Sequence, residues 1–98
     1  MIVVHNEFHV DPMKIKEATE AAKAAQAIVG KLGHKPHKIL TDVTGECYTI
    51  MFVGEFESLA AMEQAMTGVM SNPDFQKAYA PLKGAIRSGS RRILRVIG

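Results

Sequence analysis

The sequence contains no tryptophan and a single cysteine, Cys47. One thiol can build neither a disulfide framework nor a cysteine-based metal motif. Cys47 has no basic neighbour in sequence either, so nothing marks it as a reactive thiolate. Long apolar runs are missing, and none reaches the roughly 20 residues that a membrane-spanning helix needs. The first residues enter a strand pattern rather than the regions of a signal peptide. Charge of one sign is also missing. The net charge is +2, and the few aromatics do not interleave with a basic run, which argues against nucleic acid as a partner. No Gly-rich phosphate loop, nucleophile elbow or CxxC pair is present. These absences predict a cytoplasmic protein with no cofactor, no metal site, no nucleic-acid partner and no membrane segment.

What is there is a pattern of strands and helices over 98 residues, the length of one domain. Met1–Val10 alternates, with Ile2, Val4, Asn6, Phe8 and Val10 on one face and Val3, His5, Glu7 and His9 on the other. One face is apolar with a single Asn; the other is polar and carries two histidines. Asp11-Pro12 reads as an N-cap followed by the first helical position. Helical spacing then runs through Ile15, Ala18, Ala22, Ala25, Val29 and Leu32, which predicts a helix over about 12–32. Gly30 and Gly33 offer its stop.

His34-Lys35-Pro36-His37 reads as a basic connector, with an anion-binding lip as the alternative. Lys38–Val43 is a strand, Thr44-Gly45-Glu46 a hairpin turn, and Cys47–Phe56 the strongest strand of the chain. Its two faces are Tyr48, Ile50, Phe52 and Phe56 against Cys47, Thr49, Met51, Val53 and Glu55. Ser58 caps a helix whose apolar stripe is Leu59, Met62, Met66, Val69 and Met70. Asn72-Pro73 repeats the cap and opens a short helix over about 73–84, with Phe75, Ala78, Tyr79 and Leu82 inward. Arg87-Ser88-Gly89-Ser90 reads as a polar linker, and Arg91–Ile97 as the last strand.

This order is the split βαβ pattern of a ferredoxin-like α+β fold, βαββαβ. Right-handed crossovers and an adjacent hairpin give one antiparallel four-stranded sheet of order 4-1-3-2, with both helices on one face. The other face, with Val3, His5, Glu7 and His9 beside Thr49, Met51 and Val53, would stand in water in a monomer and suits a sheet-to-sheet dimer.

The segments VVHNEFHV, FESLAAMEQAM, NPDFQKAYAPL and SGSRRILRVI resemble small one-domain proteins of the NIPSNAP-like group, and the whole chain resembles the dimeric α+β barrel superfamily. The most specific part of the likeness is Phe56–Gly98. The resemblance implies a ferredoxin-like protomer and a homodimer whose two sheets close into a barrel. Relatives in that superfamily include cofactor-independent monooxygenases, haem-degrading enzymes, and muconolactone-isomerase-like and dehalogenase-like enzymes, so fold alone does not choose an activity. The Asn on the first strand is similar to one used by antibiotic-biosynthesis monooxygenases and haem-degrading relatives. Those enzymes also use a Trp, which this chain lacks.

Candidate sites follow. Asn6, a lone amide in an apolar row, needs hydrogen-bond partners. It anchors a ligand pocket lined by Phe8, Tyr48, Phe52, Met66, Phe75 and Tyr79, or else it is a buried Asn bonded to helix backbone or to water. Asn6 and His5 are the candidate catalytic groups. His5, Glu7, His9, Thr49, Met51 and Arg95 are the candidate dimer interface. His5, Glu7 and His9 invite a metal reading, but strand rise separates His5 and His9 by roughly 13 Å. That leaves a site completed across the dimer, or acid–base work by a His–Glu pair, as the alternatives to a polar interface. Arg91 and Arg95 share a face that can clamp a carboxylate or pair with Glu7. The expected function is binding of a small, mostly apolar ligand. The alternative is a cofactor-independent monooxygenase or isomerase acting on an aromatic or polyketide-like compound.

Overall fold

The computed structural model describes residues 1–98. The elements are β1 (Ile2–Val10), α1 (Ile15–Lys31), β2 (Lys38–Thr41), β3 (Thr49–Phe56), α2 (Leu59–Met70), α3 (Pro73–Ala85) and β4 (Ile86–Arg95). The sheet is antiparallel with order β2-β3-β1-β4, the same order as 4-1-3-2 read from the other edge. β1 and β3 are its central strands. The protein is therefore an α+β, ferredoxin-like fold.

Local chemistry sets the helix starts. The Asp11 carboxylate accepts a hydrogen bond from the Met13 amide at 2.9 Å, and Pro12 opens a 3-10 turn, Pro12–Lys14, that leads into α1. Ser58 Oγ accepts from the Ala61 amide at 3.1 Å, and Asn72 Oδ1 accepts from the Phe75 amide at 3.0 Å. Each cap satisfies amide hydrogens that the first helical turn leaves free. α3 runs through Pro81 to Ala85 without ending there.

The main core brings Val10 and Ile50 of the sheet against Ala18, Ala21 and Ala22 of α1 and Leu82 and Ala85 of α3. The small alanines let α1 approach both the sheet and α3, and α1 packs mainly on α3. α2 touches α3 and β3 only sparsely. A second, smaller cluster, Ala25, Val69 and Phe75, sits where the three helices meet. No helix is long and apolar enough to cross a membrane.

Several boundaries differ from the sequence expectation. The 87–90 segment is not a linker: β4 begins at Ile86, and Ser88, Gly89 and Ser90 pair with His9, Phe8 and Glu7. β1 is long enough to recruit them, so tertiary pairing overrides the turn-like composition. Arg87 is the extra residue of a bulge between the pairs His9–Ser88 and Val10–Ile86, and its guanidinium reaches Asp11 at 3.4 Å. At the hairpin, β2 stops at Thr41 and β3 starts at Thr49, not Cys47. Tyr48 has φ +61°, a left-handed conformation that ends the pleat. The longer loop is tied by the Thr49 amide donating to Asp42 Oδ1 at 2.9 Å and by the Val10 amide donating to the Tyr48 carbonyl at 2.9 Å.

Candidate functional site

β1 supplies the centre of the site. In the even-numbered row, Ile2 lies opposite Phe56, Val4 opposite Gly54, Asn6 opposite Phe52 and Phe8 opposite Ile50. On the other flank Asn6 lies opposite Arg91 and Phe8 opposite Gly89. This row faces the helices. Between it and α1, α2 and α3 lies a cavity of about 130 Å³. Its floor is Asn6, Phe8, Phe52 and Phe56. Ala25, Gln26 and Val29 of α1 wall one side, Ala65, Met66, Val69 and Met70 of α2 another, and Phe75 and Tyr79 of α3 a third. His34, Lys35 and His37 of the α1–β2 connector close the end, and exposed His34 and Lys35 form its lip.

Two glycines make the room. A Cβ at residue 89 would stand 2.7 Å from Phe8 Cδ1, so a bare β4 backbone lets the Phe8 ring lie across it. A Cβ at residue 54 would overlap the His37 ring. That ring stands edge-on to Phe56, with centroids 5.6 Å apart, and the His37 carbonyl accepts from Gln26 Nε2 at 2.8 Å. Burial holds the His37 pKa below its ordinary value. The connector is therefore anchored on the sheet through His37, not merely solvated.

The polar end of the cavity is a pair. Arg91 Nε donates to Asn6 Oδ1 at 2.8 Å. Asn6 is only 9% exposed, and it finds its partner on β4, not on helix backbone. Tyr79 lines the same cavity, stacked on Phe75 with centroids 5.4 Å apart and planes 14° apart. Burial raises the Tyr79 phenol pKa, and the positive charge of Arg91 works against that rise. Lys35 and Arg91 are cationic, and no carboxylate lines the cavity.

Of the residues expected around Asn6, Phe8, Phe52, Met66, Phe75 and Tyr79 line the cavity. Tyr48 does not. It lies outside β3, is 43% exposed and sits in the hairpin loop. His5 is on the opposite face, between Val53 and Arg92. Neighbours in a strand face opposite ways, so His5 and Asn6 cannot act on one ligand in this cavity. The cavity histidines are His34 and His37.

The open face of the sheet carries His5, Glu7, His9, Met51 and Val53, with Leu40 of β2 and Arg92 and Leu94 of β4. Two residues leave the expected interface. Thr49 is 5% exposed, covered by its own loop, with its hydroxyl donating to the Glu46 carbonyl at 3.3 Å. Arg95 lies opposite Ile2, in the helix-facing row with Arg91, and Glu7 pairs with Ser90 instead. His9 sits between two carboxylates, Glu7 at 3.6 Å and Glu46 at 3.2 Å. No group of three or more His, Cys, Asp or Glu gathers closely enough to hold a metal.

Sequence reasoning raised Arg91 as a carboxylate clamp without pairing it with Asn6, placed His37 only in a basic connector or anion-binding lip, and gave no role to the two glycines. The signal for Arg91 was the length of β4: once the strand is extended back to Ile86, pairing sets Arg91 beside Asn6.

No family model and no curated protein matches the sequence. Solved structures do match its fold. An uncharacterized NIPSNAP domain protein from Burkholderia xenovorans superposes with a TM-score of 0.82 at 11% identity, over 99% of this chain and 95% of that one. A NIPSNAP family protein from Agrobacterium tumefaciens gives 0.80 at 19% identity, over 96% and 90%. An antibiotic biosynthesis monooxygenase gives 0.79 at 11% identity, over the full length of both chains. The protein thus has the fold shared by NIPSNAP family proteins and antibiotic biosynthesis monooxygenases.

Proposed function

We propose that this chain is a single-domain, sheet-to-sheet homodimer that binds a small, mostly apolar ligand in the cavity between its sheet and its helices. The observation that carries the binding reading is the cavity itself: apolar on most sides, with one polar pair at Asn6 and Arg91. Ligand sites are commonly apolar clefts with a few placed polar groups. A cavity of about 150 Å³ holds a benzene-sized molecule, so 130 Å³ suits one ring. The test is a titration with toluene followed by nuclear magnetic resonance. Saturable shifts confined to Phe52, Met66, Phe75 and Tyr79 support the reading, and no saturable shift at any of them refutes it.

The dimer reading rests on the open face. Leu40, Leu94 and Val96 are exposed there or beside it, next to Met51 and Val53, and a second copy would remove them from water. A reducing compartment such as the cytoplasm suits the exposed free thiol of Cys47. Sedimentation at micromolar concentration should give a dimer that Val53→Glu dissociates; a stable wild-type monomer contradicts it.

A second reading is a cofactor-independent monooxygenase or isomerase. It is favoured by the likeness to an antibiotic biosynthesis monooxygenase and by Asn6, Tyr79 and His37 facing one apolar space. The cavity volume of about 130 Å³ matches one aromatic ring of such a substrate. Turnover of such a compound, lost in Asn6→Ala with the fold retained, separates this reading from simple binding.

A further inference from the structure

Arg91 is a cation without a counter-ion. The three ion pairs of the protein join His9 to Glu7, His9 to Glu46 and Arg87 to Asp11. None involves Arg91, and the cavity that Arg91 lines has no Asp or Glu. Asn6 occupies Nε alone, at 2.8 Å. That bond fixes the plane of the guanidinium and leaves both terminal nitrogens to donate. A guanidinium donates two parallel hydrogen bonds to a carboxylate with good geometry. Lys35 adds positive charge at the lip. Beyond Arg91 the walls are apolar and aromatic, and the space fits a single ring.

We propose that the cavity selects a monocyclic aromatic carboxylate, whose ring lies among Phe52, Phe75 and Tyr79 and whose carboxylate is held end-on by the terminal nitrogens of Arg91, with Asn6 as the positioning residue. This rests on the ligand-binding reading above and names its substrate class. The neutral Tyr79 phenol is a further donor within the same cavity. The ring is buried by the hydrophobic effect, while the charged end remains at the half-open side where Arg91 meets solvent.

The experiment compares benzoate, benzamide and toluene by calorimetric and magnetic-resonance titration against the wild type, Arg91→Met and Arg91→Lys. Benzoate should bind the wild type about tenfold or more tightly than benzamide, the range expected of charge-assisted hydrogen bonds. Arg91→Met should abolish that preference, with toluene affinity in the same variant as the reference for any change in the cavity wall. Arg91→Lys, which keeps the charge but not the fork, should keep part of it. Asn6→Asp, which gives Arg91 an internal carboxylate, should also lose the preference of benzoate over benzamide. If toluene binds but benzoate holds no advantage over benzamide, or keeps it in Arg91→Met, the carboxylate inference falls and the pocket reading stands. If neither toluene nor benzoate binds, both fall.

Discussion

The His37 ring occupies the space that a side chain on residue 54 would fill. His37 lies in the connector after α1 and Gly54 in the middle of β3, so one missing Cβ fastens a loop onto the sheet and closes the end of the cavity. Gly54→Ala should expel the ring. Overpacking of this kind costs about 1–3 kcal/mol, read as a lower midpoint in chemical denaturation. The His37 titration, followed by magnetic resonance, should move back up toward its ordinary value of 6.5 as the ring regains water.

Protonation should loosen the same contact. Burial depresses the pKa of His37 in the folded protein, so as pH falls below 6.5 the unfolded chain takes up a proton that the folded chain resists. The stability that the neutral ring contributes is present above that pH and is lost as pH falls toward the depressed folded value. Thermal midpoints measured across mildly acidic pH should therefore decline, and His37→Phe should flatten the part of the decline that His37 causes.

Asn6 and Arg91 should be energetically coupled. Asn6→Ala removes the acceptor for Arg91 Nε, and because Arg91 is partly solvated the loss should be about 1 kcal/mol. A double-mutant cycle with Arg91→Met checks this: the double variant should be less destabilised than the sum of the single changes. Additive effects would mean that the 2.8 Å contact contributes nothing.

Tyr79 reports on the Arg91 charge. Burial raises its pKa and Arg91 lowers it. Arg91→Met should leave burial unopposed and push phenolate formation to still higher pH, visible in ultraviolet absorbance. An unchanged titration in that variant would place the Arg91 charge too far from Tyr79 to matter.

Much of the fold was legible in the sequence because its signals are local. Period-two alternation in β1, the Asp11-Pro12 and Asn72-Pro73 starts and the alanine-rich stripe of α1 each specify an element without outside help. The order of those elements then leaves few sheet topologies. What could not be read depends on distant partners. Arg87–Ser90 has the composition of a turn and becomes strand because β1 offers it hydrogen bonds. Tyr48 continues an alternating run, yet its left-handed φ breaks the strand. The candidate site divides the same way. Asn6 stood out as a polar residue in an apolar row. Its partner Arg91 depended on β4 register, and the place of His37 depended on a glycine in another strand.

The position of β4 bears on how the molecule avoids association along its strands. β4 is an edge strand of ten residues, and an edge that long, with one side of its backbone unpaired, is a template on which further chains can add. Arg87, Arg91, Arg92 and Arg95 distribute positive charge along it, and the bulge at Arg87 interrupts its regular pairing near one end. A second copy approaching edge to edge would set like charges against one another. Like charges along β4 would thus oppose edge-to-edge growth, and a variant in which Arg87, Arg92 and Arg95 are neutralised should aggregate at concentrations the wild type tolerates.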